Sequence, residues 1–261
     1  MTMRDRLPTI ALVGGLLLAW EAYVRLAGVE PVVLPSPTRI LGALWDYRDD
    51  AVRHALPTLL ETVLGFLLAV VLAIVAAVLM DRTPAVRRAV EPLLVTSQTI
   101  PIVALAPLFL LWFGFGLLPK VLIVVLVTFF PIVVSLLDGF RTASVDANDL
   151  LRSYGATDWQ AFRVLRWPSS LPNLFTGLRI SVVYAVIGAV FGEYVGAREG
   201  LGIWMQLSQN TFRADLVFAA IVVTSTLSLV MYWALGLLRR AVIPWAPGVR
   251  AAVAPSSQPF P

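Results

Sequence analysis

A chain of 261 residues in which 59% are hydrophobic and only 14% are charged is too apolar for a water-soluble domain. Its net charge of +4 comes mainly from arginines spread among short segments, so no nucleic-acid partner is expected, and the lack of cysteine excludes disulfides and thiolate sites. No Pro/Gly/Ser-rich linker divides the chain before its end. The sequence therefore predicts a single membrane domain over residues 1–250 and a flexible tail over residues 251–261.

Six segments have the length and apolarity of a membrane-crossing helix, which needs about 20 residues. They predict an all-α polytopic membrane protein with spans at residues 7–26, 56–79, 93–113, 121–137, 174–194 and 216–238. The first segment follows Arg4 and Arg6, as a signal peptide would. Because Trp20 and Glu21 stand where a cleavage site needs small residues, we interpret it as an uncleaved helix.

The positions of lysine and arginine predict which ends of the spans face the cytoplasm. If the N-terminus is cytoplasmic, the inner segments carry the larger basic set, as the positive-inside rule requires. The inner set is Arg4, Arg6, Arg82, Arg87, Arg88, Arg141, Arg152, Arg163, Arg166, Arg239, Arg240 and Arg250, and the outer set is Arg25, Arg39, Arg48, Arg53, Lys120, Arg198 and Arg213. Both termini and the segment 149–168 are therefore expected on the cytoplasmic side.

The third span carries two prolines, Pro101 and Pro107. Proline within a helix removes a backbone hydrogen bond and kinks the helix, which membrane proteins tolerate where neighbours, hydroxyls or a watery cavity satisfy the freed carbonyls. Gln98 and Thr99 are the polar side chains nearest to those carbonyls. A helix that lines a substrate path and a helix kinked only for packing both fit this pattern.

The fifth span has a stripe of small residues near four-residue spacing: Gly177, Ser181, Ala185, Gly188, Ala189 and Gly192. Such a stripe favours close packing against another helix, while Ser181 and Tyr184 are also candidates to face a substrate. Acidic residues inside spans are costly. Because Glu21, Glu61 and Glu193 lie near predicted outer ends, we interpret them as interfacial residues that reach water, and we keep Glu193 as a candidate path residue.

The sequence offers little for catalysis. His54 is the only histidine and lies in a predicted outer segment, so neither a Ser-His-Asp arrangement nor a histidine metal site is expected. No phosphate-binding loop of the form G-x-x-x-x-G-K-[ST] is present, and Lys120, the only lysine, is placed beside an outer turn. The chain is thus expected to be no enzyme and to hold no metal or cofactor, and any energy must come from a gradient or a partner.

Residues 149–168 form a polar, arginine-bearing segment between apolar runs. Asp146 and Asp149 favour a helix start, Gly155 is expected to end that helix, and Thr157 or Asp158 is expected to cap a second helix. Trp167-Pro168 is expected to stop the second helix. This helix-glycine-helix build predicts either a docking site for an aqueous partner or an amphipathic segment on lipid headgroups.

The spacing of this segment resembles the cytoplasmic loop signature of permease subunits of binding-protein-dependent ABC importers: E-A-A, three residues, G, nine residues, I-x-L-P. Gly155 and Pro168 match it, whereas Asp149, Leu150, Leu151, Leu165 and Trp167 replace the family's residues. QTIPIVALAPLFLLWFGFGLLPK, FFPIVVSLLDGF, IGAVFGEYVGAREGLG and LPSPTRI are similar to the branch that imports nitrate, sulfonates, taurine and thiamine-precursor pyrimidines. This resemblance covers residues 33–245.

The resemblance implies the type I importer permease fold in a bacterial inner membrane. It also implies a second permease copy, two cytoplasmic ATPase subunits that bind ATP and Mg²⁺, and an extracytoplasmic substrate-binding protein. A coupling loop at about residues 141–173 would contact the ATPase through Asp149, Leu150, Leu151, Arg152, Tyr154, Gly155 and Pro168. The candidate path residues are Gln98, Thr99, Pro101, Pro107, Ser181, Tyr184 and Glu193.

Two other classes of protein are weighed against the importer. An ion-gradient-driven secondary transporter would need buried charged residues near mid-membrane and inverted repeats, and the sequence indicates neither a mid-span carboxylate nor self-similar halves. A membrane-anchored assembly protein would explain the polar segment but not the paired prolines. The substrate is left open between small anions and heteroaromatic vitamin compounds. Arg179 is the one candidate cation for an anion path, although a headgroup anchor is favoured.

Overall fold

A computed structural model describes the protein from residue 3 to residue 245, and this part of the chain is helical without β-strands. The helices are α1 Met3–Leu26, α2 Pro37–Asp46, α3 Arg48–Arg82, α4 Pro84–Ser97, α5 Ile102–Phe113, α6 Leu117–Arg141, α7 Val145–Ser153, α8 Asp158–Ala161, α9 Trp167–Gly196, α10 Leu201–Asn210 and α11 Ala214–Val242. A π-helical turn, Phe162–Arg166, joins α8 to α9. The all-α prediction is confirmed. The predicted tail, 251–261, lies outside the described residues, and the single domain over 1–250 stays a prediction.

Five stretches of helix are long and apolar enough to cross a membrane, and a sixth is counted if α4 and α5 form one bent span. These five lie in α1, α3, α6, the run from α8 through α9, and α11. The predicted number of about six is therefore confirmed, but the helices extend beyond the predicted limits. α3 has 35 residues, more than the apolar segment predicted at 56–79. Asp49 and Asp50 in its first turn favour a helix N-terminus, but they are too polar to belong to an apolar segment.

The third predicted span is not one kinked helix. α4 ends at Ser97, and Pro101 stands before α5 in an extended conformation, with φ −64° and ψ 120°. Proline disfavours helical geometry at the preceding residue, Ile100, so the chain breaks there instead of bending through Pro101. Of these two prolines, only Pro107 lies inside a helix. The interpretation of Pro101 as a mid-helix kink was wrong.

Trp167-Pro168 does not stop the second helix of the polar segment. The chain runs from α8 through the π-helical turn into α9, and Pro168 occupies the first turn of α9. In the π-turn the Trp167 N–H donates to the Phe162 carbonyl, five residues back. The wider turn relieves the clash that a proline ring makes with the carbonyl four residues earlier. The predicted proline stop is therefore a helix junction.

The helices are organised into two compact units. The first unit comprises residues up to 67, 100–127 and 184–229, and the second comprises residues 68–99, 128–183 and the chain from 230 onward. α3, α6, α9 and α11 each contribute to both units.

The small-residue stripe of α9 packs against α6. A Cβ atom at Gly177 would lie 2.6 Å from the Ser135 Cβ, and one at Gly188 would lie 2.8 Å from a Val127 methyl group. Ala185 and Ala189 are fully buried. Contacts this short leave no space for side chains, so the predicted packing role of the stripe is confirmed.

Candidate functional site

The polar loop of the second unit is built as the sequence predicted up to α8. Ser144 caps α7, and Gly155 follows the helix with φ +81°, a conformation that favours glycine. The N–H groups of Gly155 and Ala156 donate to the carbonyls of Arg152 and Leu151 at 2.9 and 3.0 Å, which closes the end of α7. No atom lies within 4 Å of a Cβ built at Gly155, so its backbone conformation is the constraint, not space.

The second helix of the loop begins with a capping box. The Thr157 hydroxyl accepts from the Gln160 N–H, and the Gln160 side chain accepts from the Thr157 N–H at 2.8 Å. The Arg152 guanidinium lies 2.7 Å from an Asp158 carboxylate oxygen and so ties α7 to α8. Both groups of this pair are exposed. Thr157, one of the two predicted candidates, is therefore the helix cap, and Arg152 has a partner within the loop.

The loop presents apolar side chains at its surface. Leu150 is 57% exposed and Tyr154 is 82% exposed, and Trp159 is more than half exposed. Asp149 is also exposed, whereas Leu151 is only partly so. Large apolar groups at the surface of a polar loop are typical of a docking surface. Six of the seven predicted coupling residues thus lie together on or beside α7, and Pro168 lies apart in α9.

A cleft of about 590 Å³ opens beside α7 and α8. It is lined by α3, α6, α7, α8 and the π-turn, through Asp81, Arg82, Phe140, Arg141, Ala143, Ser144, Val145, Asn148, Arg152, Asp158, Trp159, Ala161, Phe162 and Arg166. Its walls combine arginines with aromatic rings. Such a cleft can receive an apolar or acidic segment of a partner.

The end of α3 holds this loop in place. Asp81, whose side chain is 6% exposed, forms an ion pair with Arg166 of the π-turn. The Arg82 guanidinium lies 4.5 Å from the centre of the Trp159 ring and 5.2 Å from that of Phe162. We call these five residues the loop clamp. Asp81 and Arg166 are 85 positions apart, so no local pattern in the sequence pairs them.

The first unit contains a buried polar network formed by Thr58, Glu61, Lys120, Glu193 and Gly202. The Lys120 ammonium donates to Glu61 Oε1 at 2.5 Å. The Thr58 hydroxyl lies 2.5 Å from Glu193 Oε1, and the Gly202 N–H donates to Glu193 Oε2 at 2.6 Å. Glu61 is 3% exposed, Glu193 is fully buried and Lys120 is 9% exposed. Each carboxylate has at least one hydrogen-bond donor, as buried charge requires, and Glu61 Oε2 is left without one.

This network corrects two interpretations. Glu61 and Glu193 are not interfacial residues that reach water. Lys120 does lie beside a short turn, in the first turn of α6, but it is buried there. Glu61 and Lys120 are 59 positions apart, so the sequence did not reveal the neutralising partner that permits their burial.

Glycines bring the start of α10 onto this network. Gly200 has φ +135°, and a Cβ atom there would overlap the Glu193 carboxyl group. The Gly200 N–H donates to His54 Nδ1 at 3.1 Å, and the Leu201 N–H donates to the Thr58 hydroxyl at 2.9 Å. The start of α10 is thus held by α3 and α9, which bind its first N–H groups.

Ion pairs border the same unit at its surface. The Arg53 guanidinium lies 2.7 Å from Glu199 and holds the pKa of the Glu199 carboxyl below its ordinary value. Hydrogen bonds to Asp215 raise the pKa of the Arg213 guanidinium. Asp215 also lies 3.6 Å from Arg39 of α2. These pairs connect α3 to the loop before α10, and α2 to the start of α11.

The candidate path residues have different surroundings. Gln98 and Thr99 are exposed beyond the end of α4, and the Thr99 hydroxyl donates to the Thr96 carbonyl at 2.7 Å. Pro101 and Pro107 are exposed, and Tyr184 is about half exposed. Ser181 is fully buried and donates to the Thr128 carbonyl at 3.2 Å. Glu193 belongs to the buried polar network.

Arg179, the candidate cation of an anion path, packs against α11. Its guanidinium lies 4.6 Å from the centre of the Tyr232 ring, and a Cβ atom at Gly236 would overlap it. This cation–π contact with Tyr232 uses one face of the guanidinium.

Comparison with known proteins gives consistent matches. The profile of the family described as "Binding-protein-dependent transport system inner membrane component" matches residues 69–244. The formylaminopyrimidine transport permease protein ThiX of Halalkalibacterium halodurans is 42% identical over 88% of this chain and 92% of its own. The riboflavin transport system permease protein RibX of Chloroflexus aurantiacus is 38% identical over 88% of this chain and 87% of its own.

The taurine transport system permease protein TauC of Escherichia coli is 28% identical over 88% of this chain and 86% of its own. Among solved structures, a chain of the inward-facing MetNI methionine ABC transporter superposes with a TM-score of 0.65 at 20% identity. The match covers 77% of this chain and 98% of that chain. The predicted type I ABC importer permease fold is therefore confirmed.

Proposed function

Because the chain belongs to the family of inner membrane components of binding-protein-dependent transport systems, we propose that its exposed α7–α8 loop couples a partner ATPase to substrate uptake. The chain is a permease subunit of an ABC importer and a multi-pass inner membrane protein. Its partners are an ATPase and a substrate-binding protein. The proposal concerns the residues that carry the coupling, the side of the membrane on which they lie and the substrate.

The observation that carries this proposal is the exposure of Leu150 and Tyr154 on a loop whose base is fixed. Both side chains are exposed to solvent at α7. The loop clamp ties the loop to α3, and the π-turn joins it to α9. Exposed apolar residues on a rigid support are suited to bind a partner and to transmit its movement. We propose that the loop and both termini lie in the cytoplasm, and the support is the excess of arginine in the predicted inner segments.

In this mechanism, ATP-driven closure of two ATPase subunits moves the loops of two permease copies together. The loop moves as a rigid body because the Arg152–Asp158 pair and the capping box join its two helices. Its movement reaches α3 through Asp81 and Arg82, and reaches α9 through the continuous helix beyond Arg166. The spans would then change between inward-open and outward-open arrangements. ATP and Mg²⁺ are bound by the partner in this proposal.

For the substrate, we propose a nitrogen heteroaromatic vitamin or vitamin precursor. The support is the higher identity to the formylaminopyrimidine and riboflavin permeases, 42% and 38%, than to the taurine permease, 28%. The contact of Arg179 with Tyr232 leaves its guanidinium less free to bind a small anion. Two identical permease copies complete the proposed assembly.

Truncation of the exposed side chains tests the coupling role. In a complex reconstituted with its ATPase and binding protein, Leu150→Ala and Tyr154→Ala are expected to lower uptake about tenfold, the usual cost of losing a central interface contact. Leu207→Ala, an equally exposed leucine on α10, is the matched control and should leave uptake unchanged. Wild-type uptake and ATPase activity in both loop variants would exclude this surface as the coupling element.

The substrate proposal has its own test. The purified binding protein is titrated with a formylaminopyrimidine, riboflavin and taurine, and its complex with the permease is assayed for stimulated ATPase activity. Binding and stimulation by one of the heteroaromatic compounds alone is the expected result. Stimulation by taurine or another sulfonate alone would contradict the proposal.

A further inference from the structure

The buried polar network contains two carboxyl groups and one ammonium group. Glu61 and Glu193 would carry two negative charges if both were ionised, and Lys120 supplies one positive charge. All three side chains are almost completely removed from solvent. Glu193 also interacts with Glu61, so two like charges would meet in a region with little water. An uncompensated charge in such surroundings is strongly unfavourable, and one bound proton removes it.

The contacts identify which carboxyl group holds the proton. Glu61 lies 2.5 Å from the Lys120 ammonium, an arrangement that stabilises an ionised carboxylate. Besides Glu61, Glu193 contacts neutral donors, the Thr58 hydroxyl and the Gly202 N–H. The Arg53–Glu199 pair lies at the surface, and His54 is engaged by Gly200. Protonation therefore costs less free energy at Glu193 than at Glu61.

The hydrogen-bond geometry accommodates a protonated Glu193. The Thr58 hydroxyl has one proton and lies within hydrogen-bond distance of two acceptors, Glu193 Oε1 and the His54 carbonyl at 3.1 Å. A proton on Glu193 Oε1 lets this group donate to Thr58, which then donates to His54. The other oxygen, Oε2, still accepts from the Gly202 N–H. Every proton in this chain of contacts then has an acceptor.

One effect opposes protonation. The N-terminus of α10 favours an anion, but it acts as only about half an elementary charge. Burial of an ionised carboxylate removes its whole hydration shell, which is the larger effect in a dry site. The neutral acid keeps both hydrogen bonds to α3 and α10 without this cost.

We propose that Glu193 is a positioning residue that carries a proton at neutral pH and, as a neutral acid, fastens the start of α10 to α3 and α9. Loss of that proton at alkaline pH would place a second negative charge beside Glu61. The Thr58 hydroxyl would then donate to the Glu193 carboxylate instead of to the His54 carbonyl, and the uncompensated charge would loosen α10. The proposal does not rest on the coupling role of the α7–α8 loop, because it concerns a different part of the chain.

Infrared spectroscopy of the purified full-length chain in lipid nanodiscs tests the protonation state without ATPase or substrate. Wild type at neutral pH should show the C=O band of a protonated carboxylic acid that shifts in ²H₂O and fades on alkaline titration. Glu193→Gln should lack this band, whereas Glu199→Gln, which changes a surface carboxylate outside the network, should keep it. Absence of the band from the wild type, or its persistence in Glu193→Gln, would overturn the proposal.

Substitution tests the positioning role. The amide of Glu193→Gln donates to Thr58 and accepts from Gly202 as the neutral acid does, so its thermal midpoint should stay near that of wild type. Its uptake should stay within about twofold of wild type and should not decline at alkaline pH as the wild-type rate does. Glu193→Ala should lower the midpoint by several degrees. Equal damage in both variants would show that an ionised carboxylate is needed and would overturn the proposal.

Discussion

The loop clamp and the buried polar network use similar chemistry for opposite purposes. Each ties a short helix to long membrane-crossing helices through an acid, a base and hydrogen bonds. In the clamp, Arg82 lies against aromatic rings and Tyr154 and Trp159 stay exposed nearby. In the network, Glu61, Lys120 and Glu193 bind one another and their neighbours with almost no exposure. The clamp supports a surface that is open to a partner, whereas the network closes on itself.

This difference predicts how each region responds to mutation. Breaking a buried ion pair leaves a charge without a partner and costs about 3–5 kcal/mol, whereas an exposed pair contributes about 0–1 kcal/mol. Changes in the network should therefore reduce folding stability. Changes at the clamp and its surface should reduce transport with a smaller loss of stability.

The largest loss of stability is expected for Lys120→Met. It leaves the buried Glu61 carboxylate unpaired and should lower the free energy of unfolding by about 3–5 kcal/mol, measured by denaturant titration in a membrane mimetic. The double variant Glu61→Gln/Lys120→Met removes both charges and should recover much of this loss. If Lys120→Met alone unfolds at the wild-type midpoint, the network is not a buried ion pair.

Two glycines with positive φ give the next comparison. Gly200→Ala places a methyl group onto the Glu193 carboxyl, so it should be more destabilising than backbone strain alone, which costs about 1–2 kcal/mol. Gly155→Ala has open space around its new methyl group and should show only the strain. Thermal unfolding of both variants measures the difference. Equal midpoints would contradict the tight contact between α10 and α9.

At the clamp, Asp81→Asn is expected to weaken transport more than folding. The substitution removes the charge that holds Arg166, with an expected cost in stability of about 1–3 kcal/mol. The loop would then move less with α3, so less substrate should be taken up per ATP hydrolysed in the reconstituted complex. The swap Asp81→Arg/Arg166→Asp should restore part of the substrate uptake per ATP hydrolysed. If Asp81→Asn leaves the uptake per ATP unchanged, the pair is not used in coupling.

The smallest effect on stability is expected for the exposed Arg152–Asp158 pair. Asp158→Ala should change the free energy of unfolding by no more than about 0.5 kcal/mol, since both groups are open to solvent. Differential scanning calorimetry in nanodiscs at low and high salt would check this value. A loss near that of Lys120→Met would show that the loop is less exposed than the structure indicates.

The features that sequence predicted well are those set by neighbouring residues. The turn at Gly155, the Thr157 cap, the small-residue stripe and the number of spans follow from local conformation, spacing and hydropathy. Contacts between positions far apart in the chain could not be predicted from the sequence. They are the pairs Glu61 with Lys120 and Asp81 with Arg166. An acidic residue inside a span is costly when it is unpaired. Because the sequence does not reveal these contacts, it predicts that Glu61 and Glu193 reach water at the ends of their spans.

Local sequence patterns also gave the wrong backbone geometry at two prolines, Pro101 and Pro168. Pro101 was expected to kink a helix and instead precedes α5 after a break. Pro168 was expected to end a helix, but the π-turn carries the helix past it. A proline restricts the backbone around it, and the packing of the neighbouring helices decides whether the chain breaks, bends or widens there.

The measurement that most directly tests the coupling proposal is site-specific cross-linking in the assembled complex. The chain has no native cysteine, so Tyr154→Cys and Leu207→Cys each provide a unique thiol on an exposed residue. With a short thiol-to-amine reagent, Tyr154→Cys should cross-link to the ATPase subunit and Leu207→Cys should not. A Tyr154→Cys protein that gives no ATPase adduct, or no more than Leu207→Cys gives, would contradict the assignment of the α7–α8 loop as the coupling element.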